Sequence, residues 1–240
     1  MFASVAQTAT VEQTFKVEIG IFDAANVNIS YTFDDKNYQF LSYIQTAGLF
    51  DKFYSFQASY LTKGIILQNL FQTSDYHYKT KSSSHVRTKQ LLFNEKGILI
   101  SRLSSKDTKE KQVDIKLPKE KIDAYDMQTV LAMLVQNFKE KQSCQMQKTV
   151  FNSKRIYKVL IKDEEKEILN GKDVYKCSFY IKQENMDKGD LLWQTTAERP
   201  VYFYIAQDQK TKLPYLAYLK IPSTPLGALT ADMINLRIKE

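Results

Sequence analysis

Residues 15–33 read FKVEIGIFDAANVNISYTF, and apolar and polar side chains alternate in 15–21 and again in 27–33. A period of two indicates strands with one buried face and one wet face. The intervening DAAN, residues 23–26, supplies side chains that favour a turn. The stretch therefore predicts two antiparallel strands joined by a short connection.

Further strand-like runs follow at short intervals up to the C terminus. Asn94-Glu95-Lys96-Gly97 is a hairpin signal, and four prolines, at 200, 214, 222 and 225, fall between runs as strand boundaries. The further predicted strands are 38–46, 54–61, 65–78, 86–93, 98–103, 112–117, 147–151, 156–162, 174–183, 191–196, 201–206, 215–221 and 226–238. No linker or repeat divides the chain, which predicts one β-rich domain over residues 13–240.

One segment has helical periodicity instead, over about residues 125–141. Its apolar residues follow i, i+3, i+4, i+7, i+8 and i+11, and they are Met127, Val130, Leu131, Leu134, Val135 and Phe138. Asp123 or Asp126 can cap its start. We predict a mainly β fold, with one large curved antiparallel sheet or an open or closed barrel. A single long amphipathic helix packs on that sheet.

The net charge of +7 comes from 34 basic and 27 acidic residues, and nearly all the basic residues are lysines. The five arginines are scattered singly along the chain, whereas recognition of phosphates and bases favours clustered arginine. The lysines also alternate with acidic residues, which is typical of solvated faces. We therefore expect no nucleic-acid partner. No apolar stretch of 18 residues is present, so we expect no transmembrane segment.

The sequence shows no catalytic motif. It contains neither G-x-S-x-G nor a Gly-rich phosphate loop, since its seven glycines are far apart. Its two histidines, His77 and His85, flank a Ser-rich turn, where surface positions are more common than metal ligation. We expect no enzyme, no cofactor, no metal and no catalytic residue. A hydrolase with an unrecognised site stays as an alternative, because carboxylates that pair in space are invisible in sequence.

Two features concern the compartment. Cys144 and Cys177 are either two buried thiols or one disulfide that joins the end of the helix to a strand. Residues 2–7, FASVAQ, resemble the tail of a secretory signal, with Ser4 and Ala6 at the −3 and −1 positions. We therefore expect residues 1–12 to be disordered or the remnant of a signal peptide.

An antiparallel sheet with an aromatic inner face must curl, close or be covered. If it curls around the helix without filling, it leaves a concave apolar pocket, although a plain core is the commoner outcome. The candidate apolar ligand face consists of Val17, Ile19, Ile29, Tyr31, Phe33, Trp193, Val201, Phe203 and Ile205.

The order of these features resembles the bacterial envelope family known as domain of unknown function 3108, over nearly the whole chain. The resemblance rests on the opening strands, on the helix that begins Asp-Met-Gln-Thr-Val-Leu-Ala-Met-Leu at Asp126, and on Trp193 followed by Arg199-Pro200-Val201. Pro225-Leu226-Gly227 before the last strand adds to it. The sequence departs from the family after the helix motif, where Val135-Gln136-Asn137-Phe138 replaces the usual arginine.

The resemblance implies an exported protein, periplasmic or attached to the envelope, with a curved sheet similar to the half-barrels of lipoprotein carriers. Our first hypothesis is a non-catalytic protein that binds or shelters an apolar acyl-chain ligand in this sheet. The alternative is a structural or protein-interaction module of the envelope, with a filled core and envelope proteins as partners.

Overall fold

The computed structural model describes residues 8–68, 70–95, 97–107, 109–112, 125–151, 156–182 and 195–239. These residues form fourteen strands in one sheet, together with two helices. The strands are β1 (Ala9–Ile19), β2 (Phe22–Phe33), β3 (Asn37–Thr46), β4 (Phe56–Leu67), β5 (Leu70–Ser82), β6 (Val86–Phe93), β7 (Leu99–Lys106), β8 (Lys109–Gln112), β9 (Met146–Phe151), β10 (Ile156–Leu169), β11 (Lys172–Lys182), β12 (Val201–Gln207), β13 (Pro214–Thr224) and β14 (Gly227–Lys239). The helices are α1 (Gly48–Phe53) and α2 (Met127–Lys141).

The sheet is antiparallel throughout its strand pairs, with the order β8-β7-β6-β5-β4-β3-β2-β1-β14-β13-β12-β11-β10-β9. Each half is a run of hairpin-connected strands, and the pairing of β1 with β14 joins the halves. The end strands β8 and β9 make no pair with each other in the described residues, so the sheet is open. The predicted mainly β, antiparallel fold is confirmed, and the described strands of the sheet do not close into a barrel.

The sheet bends around α2. This helix contacts β3, β4 and β5 in one half of the sheet, and β9 and β13 in the other. Met133 belongs to one hydrophobic cluster with Tyr38, whereas Phe138 belongs to a second cluster with Val150 and Val159. β5 and β9 are ten positions apart in the strand order, about 48 Å in a flat sheet, so a single helix can contact both only if the sheet curves around it.

The prediction of a single long helix is corrected to two short ones. α2 has 15 residues and is capped by Asp126, while α1 adds a helix of 6 residues after β3. Hydrophobic periodicity does not identify α1, because six residues are too few to show a helical repeat. In the part of the chain that the structure describes, neither helix is long and apolar enough to cross a membrane.

Two predicted boundaries are also corrected. β1 begins at Ala9, and Thr10 pairs with Thr32 and Lys239, so the segment predicted as disordered or signal-derived over 1–12 is too long. The predicted strand 65–78 is split between β4 and β5, with a turn where Gln68 has a φ of 49°. The predicted strand 112–117 and most of 191–196 lie outside the described residues.

Candidate apolar ligand site

A cavity of about 390 Å³ lies between α2 and the inner face of the sheet, and it is open on one side. This volume falls within the range of about 300–1,000 Å³ that is usual for small-molecule sites. Its walls come from β1, β2, β3, α2, and β10 to β13. The residues that line it are Gln13, Ile29, Tyr31, Phe40, Met127, Leu131, Leu134, Val135, Ile161, Phe179, Val201, Phe203, Ile205, Pro214, Tyr215, Leu216, Leu219 and Ile221.

The apolar stripe of α2 divides between packing and cavity. Val130 and Phe138 are fully buried in the cluster against the second half of the sheet. Met127, Leu131 and Val135 follow i, i+4 and i+8, so they form one line along the helix, and all three are half-buried and line the cavity. The helix thus presents one row of side chains that no sheet residue covers completely.

The opposite wall is β12 and its neighbours. Val201, Phe203 and Ile205 alternate along the strand, so their side chains share one face. Phe179 in β11 pairs with Val201 and extends this face into the neighbouring strand. Buried side chains such as Phe203 and Ile205 form the floor of the cavity, and half-buried ones such as Val201 and Phe179 form its mouth.

The polar groups of the lining are largely occupied by the protein itself. The Gln13 side chain donates to the Leu216 carbonyl oxygen at 2.6 Å and accepts from the Leu216 N–H at 3.3 Å. The Tyr31 hydroxyl donates to the Pro214 carbonyl oxygen, and burial raises the pKa of Tyr31 well above its ordinary value. The side chains of Gln13 and Tyr31 therefore fix β13 against the first half of the sheet and present little polarity to a ligand.

The structure brings together five residues of the predicted apolar face, namely Ile29, Tyr31, Val201, Phe203 and Ile205. Three others lie elsewhere. Val17 and Ile19 pack in a separate cluster around Phe15 near the end of β1, which corrects their assignment. Phe33 lies beside Phe71 and lines a smaller cavity of about 250 Å³ instead. The predicted Trp193 lies outside the described residues.

Sequence reasoning missed the helical and β13 sides of the cavity. The stripe of α2 was visible, but nothing in it distinguishes residues that pack from those that line a space. Pro214, Leu216 and Leu219 carry no signal in sequence, because their position depends on the way β13 folds towards β1. Gln13 looks like an outward-facing polar residue, whereas it is buried and hydrogen-bonded.

A buried polar cluster anchors the start of α2 next to the cavity. The Asp126 carboxylate, 4% exposed, caps the helix by accepting from the N–H groups of Gln128 and Thr129. It also accepts from the hydroxyl groups of Thr62 at 2.8 Å, Thr73 at 2.8 Å and Thr129 at 2.6 Å. With five donors, the carboxylate has little capacity left for a substrate. The cluster attaches the helix to β4 and β5.

The two cysteines, Asp163 and the two histidines also have structural partners. Cys144 and Cys177 form a disulfide with Cα atoms 6.2 Å apart. The nearby Asp163 completes a group of three residues with metal-ligand chemistry, but both sulfurs are bonded to each other. Asp163 instead accepts from the Cys144 N–H at 2.6 Å. The two histidines do not meet, because His77 pairs with Asp75 and His85 with Asp107.

Fold and site together define an open, curved β-sheet protein that holds an apolar cavity against an internal helix. The chain belongs to the family described as "Protein of unknown function (DUF3108)", whose model matches residues 14–233. This confirms the resemblance seen in the sequence.

The chain is similar to two solved structures. One is a β-barrel-like protein of the domain of unknown function DUF1849 from Brucella abortus, 8% identical, with a TM-score of 0.53 and coverage of 98% of this chain and 100% of that one. The other is a DUF1329 family protein from Desulfovibrio piger ATCC 29098, 11% identical, with a TM-score of 0.28 and coverage of 97% and 86%. The first shares the fold. The comparison with curated proteins gave no match.

Proposed function

We propose that this protein is a non-catalytic binding protein that shelters an acyl chain in the cavity between α2 and the sheet. The observation that carries the proposal is the cavity of about 390 Å³, lined almost wholly by apolar side chains and open on one side. A filled core would leave no such space. The opening gives a ligand a way in without unfolding.

The chemistry of the lining selects an apolar ligand. The side chains of Gln13 and Tyr31 are committed to the backbone of β13, so a polar ligand would lose its water contacts without replacement. An acyl chain gains about 0.8 kcal/mol for each methylene that it buries. The row Met127, Leu131 and Val135 lies along the length of the helix, which suits a linear chain.

A non-catalytic role is supported by the state of three groups of the kind that act as general acids or bases. Asp126 is saturated by five donors, and both histidines pair with carboxylates on β5 and after β7. Among the described residues, these groups are occupied by partners that stabilise the fold. General acid–base catalysis needs such groups within reach of a substrate.

We place the protein in the periplasm or at the envelope of a bacterium. The disulfide between Cys144 and Cys177 supports this location, because disulfides persist in oxidising compartments and are rare in the cytosol. A protein that shelters acyl chains also lies close to membrane lipids in that compartment.

A second candidate is an interaction module, and one surface favours it. Ile21, Phe53 and Leu226 are 88%, 86% and 64% exposed. Ile21 and Leu226 lie on adjoining turns, since the Gly20 N–H donates to the Ala228 carbonyl oxygen at 2.9 Å. Phe53 belongs to α1, which packs on β2. An exposed apolar group of this kind fits a protein partner. Crosslinking with and without I21S/F53S would show whether this end of the sheet binds one.

The binding function is tested by substituting one residue at the mouth of the cavity. V201F places a phenyl ring in the space that the acyl chain would take, whereas V201A at the same position leaves the space open. We expect a fluorescent fatty-acid probe to bind the wild type and V201A, and to lose at least tenfold in affinity with V201F. Circular dichroism melting checks that both variants fold.

A result with no probe bound to the wild type, or with equal binding to all three proteins, would contradict the proposed function. Mass spectrometry of gently purified protein gives a second readout. It should find an acyl lipid that accompanies the wild type and is depleted from V201F.

A further inference from the structure

A second, larger cavity of about 620 Å³ lies on the other face of β12 and β13. It differs from the inner cavity in chemistry, because its lining is mixed and carries several cations. The residues on its wall include Lys176, Thr195, Arg199, Tyr202, Lys220 and Ile221.

The Thr195 hydroxyl is the first sign that this cavity binds something. Thr195 is 9% exposed, and its Oγ1 has no hydrogen-bond partner in the described structure. Buried hydroxyl groups almost always have a hydrogen-bond partner. An unpaired one has lost its hydrogen bonds to water, and no new bond offsets that free-energy cost. A hydroxyl that is buried, unpaired and on the cavity wall is placed to bond a ligand.

The charges on the wall favour an anion. Arg199 and Lys220 make no ion pair with any residue that the structure describes, whereas Lys176 is held by Glu165 at 2.9 Å and Glu167 at 2.8 Å. Glu198 also lines this cavity, and its hydrogen bond with Thr196 lowers its pKa, so it stays charged. With Lys176 held by its two glutamates, Arg199 and Lys220 still outnumber Glu198 by two charges to one. Guanidinium and ammonium groups without partners bind carboxylate and phosphate groups well.

The two cavities meet at one end of β12 and β13. Ile221 lines both of them, and the neighbours Val201 and Tyr202 line the inner and the outer one, respectively. The β12–β13 ladder begins at the pair Tyr202–Lys220, so Val201 and Ile221 lie beyond its end. Pro200 and Pro222 have no N–H to extend that ladder. The two cavities therefore adjoin where β12 and β13 separate, beyond the Tyr202–Lys220 pair.

We propose that the outer cavity is the head-group site of the same ligand, which is then an acyl chain with an anionic carboxylate or phosphate head. The chain occupies the inner cavity, and the head bonds Arg199, Lys220 and the Thr195 hydroxyl. This inference rests on the proposed function, because it assigns the polar end of the ligand whose apolar end the inner cavity holds.

The test compares three probes of equal chain length, namely dodecanoate, dodecyl phosphate and dodecanol, by isothermal titration. R199Q/K220Q removes both unpaired cations, and K36Q/K63Q removes the same charge from exposed lysines elsewhere. We expect R199Q/K220Q to weaken at least one anionic probe by roughly tenfold and to leave dodecanol unchanged, while K36Q/K63Q changes none. The anion that loses more identifies the head.

T195V adds a readout that a structural role would not give. It replaces an unpaired hydroxyl with a methyl group of the same shape, so the melting temperature of the free protein should stay the same or rise. Affinity for the anionic probe should fall. A lower melting temperature with unchanged affinity would assign Thr195 to the fold and overturn its role.

The outcomes separate the two proposals. If all three probes bind R199Q/K220Q as they bind the wild type, the head-group site is wrong and the proposed function stands. If dodecanol loses as much affinity as the anions, the head-group site is wrong as well. If no probe binds the wild type, the proposed function fails, and this inference fails with it.

Discussion

Asp126 holds the start of α2 through hydrogen bonds to the helix and to two strands. Replacing it with alanine removes the helix cap and the acceptor that the buried hydroxyl groups of Thr62, Thr73 and Thr129 share. Thr62 keeps the Gln128 side-chain oxygen at 3.0 Å, whereas Thr73 and Thr129 keep only each other at 2.8 Å and the Tyr38 hydroxyl, so at least one buried donor is left unpaired. Losing the cap costs about 1 kcal/mol, and each unpaired buried donor costs about 1–3 kcal/mol. We expect D126A to lower the free energy of unfolding in urea by about 3 kcal/mol or more.

D126N is the matched control, because asparagine caps helices well and keeps one carbonyl oxygen for Gln128 and Thr129. It should recover part of the loss. If D126A unfolds at the same urea concentration as the wild type, the polar cluster does not anchor the helix. Sequence predicts the cap, but its partners on β4 and β5 are more than fifty residues away and carry no local signal.

Gly64 tests a close approach between strands. A Cβ atom built at this position would lie 2.3 Å from the Tyr38 ring and 2.4 Å from the Gln72 carbonyl oxygen. We expect G64A to lower stability by about 1–3 kcal/mol, as overpacking does. G171A is the control without overpacking. A Cβ atom at Gly171 would have no atom within 4 Å, so only the positive φ of 74° would strain the alanine. A larger loss in G171A than in G64A would contradict this reading.

Gly64 also shows what sequence cannot distinguish. The sequence pattern separates the predicted strands 54–61 and 65–78 by a gap that contains Gly64. In the structure Gly64 lies inside β4, because the Tyr38 side chain occupies the space over it. The turn falls later, at Gln68, a residue type without turn chemistry.

At the scale of elements, the disulfide ties the end of α2 to β11. Cys144 follows the helix and Cys177 lies in the cluster that contains Phe138. A bond that closes a loop of 33 residues stabilises by about 3–4 kcal/mol. We expect dithiothreitol to lower the urea midpoint of the wild type and to leave that of C144A/C177A unchanged.

The comparison of reduced wild type with C144A/C177A serves as the control for side-chain volume. Both lack the crosslink, and C144A/C177A should unfold at the same urea concentration or a lower one, because it also lacks two buried sulfur atoms. Insensitivity of the wild type to reductant would show that the cysteines are not bonded. The sequence leaves both two thiols and a disulfide open, since spacing cannot place the two sulfurs in space.

The first three strands are the elements easiest to predict, because their alternation is regular and the turns between them carry Gly20, Asp34 and Asp35. The stripe of α2 was equally clear. The helical period could not predict which residues of that stripe pack in a core, as Phe138 does, and which line a cavity, as Leu131 does. That division follows from how far the two halves of the sheet approach each other.

For the whole molecule, the buried tyrosines report on the integrity of the inner face. Burial raises the pKa of Tyr60 and Tyr157 to about 12, and Asp126 adds to the shift of Tyr157. The folded protein keeps these protons above pH 10, where the unfolded chain releases them, so stability falls as the pH rises from about 10 to 12.

The measurement is the absorbance of tyrosinate between pH 9 and 13, in buffer and in concentrated urea. In buffer, a fraction of the tyrosines should ionise late and together with unfolding, whereas in urea all should ionise near pH 10. Identical titration curves in both solvents would contradict the buried inner face. Neutral and mildly acidic pH should leave this contribution intact.

The sequence predicted the open or closed antiparallel sheet around a helix, but not whether the interior is filled. That outcome depends on side chains that meet across more than two hundred positions, as Gln13 and Leu216 do. The bend of the sheet brings β13 to the helix, and only then does the row Met127, Leu131 and Val135 face a space.

Nuclear Overhauser effects from ¹³C-labelled dodecanoate to methyl-labelled protein show whether the space beneath α2 holds an acyl chain. We expect cross-peaks from the chain to the methyl groups of Leu131, Val201 and Ile205, which line the cavity. Cross-peaks only to exposed methyl groups such as those of Ile21, Ile100 and Ile168, or none at all with ligand in excess, would contradict acyl-chain binding in this cavity.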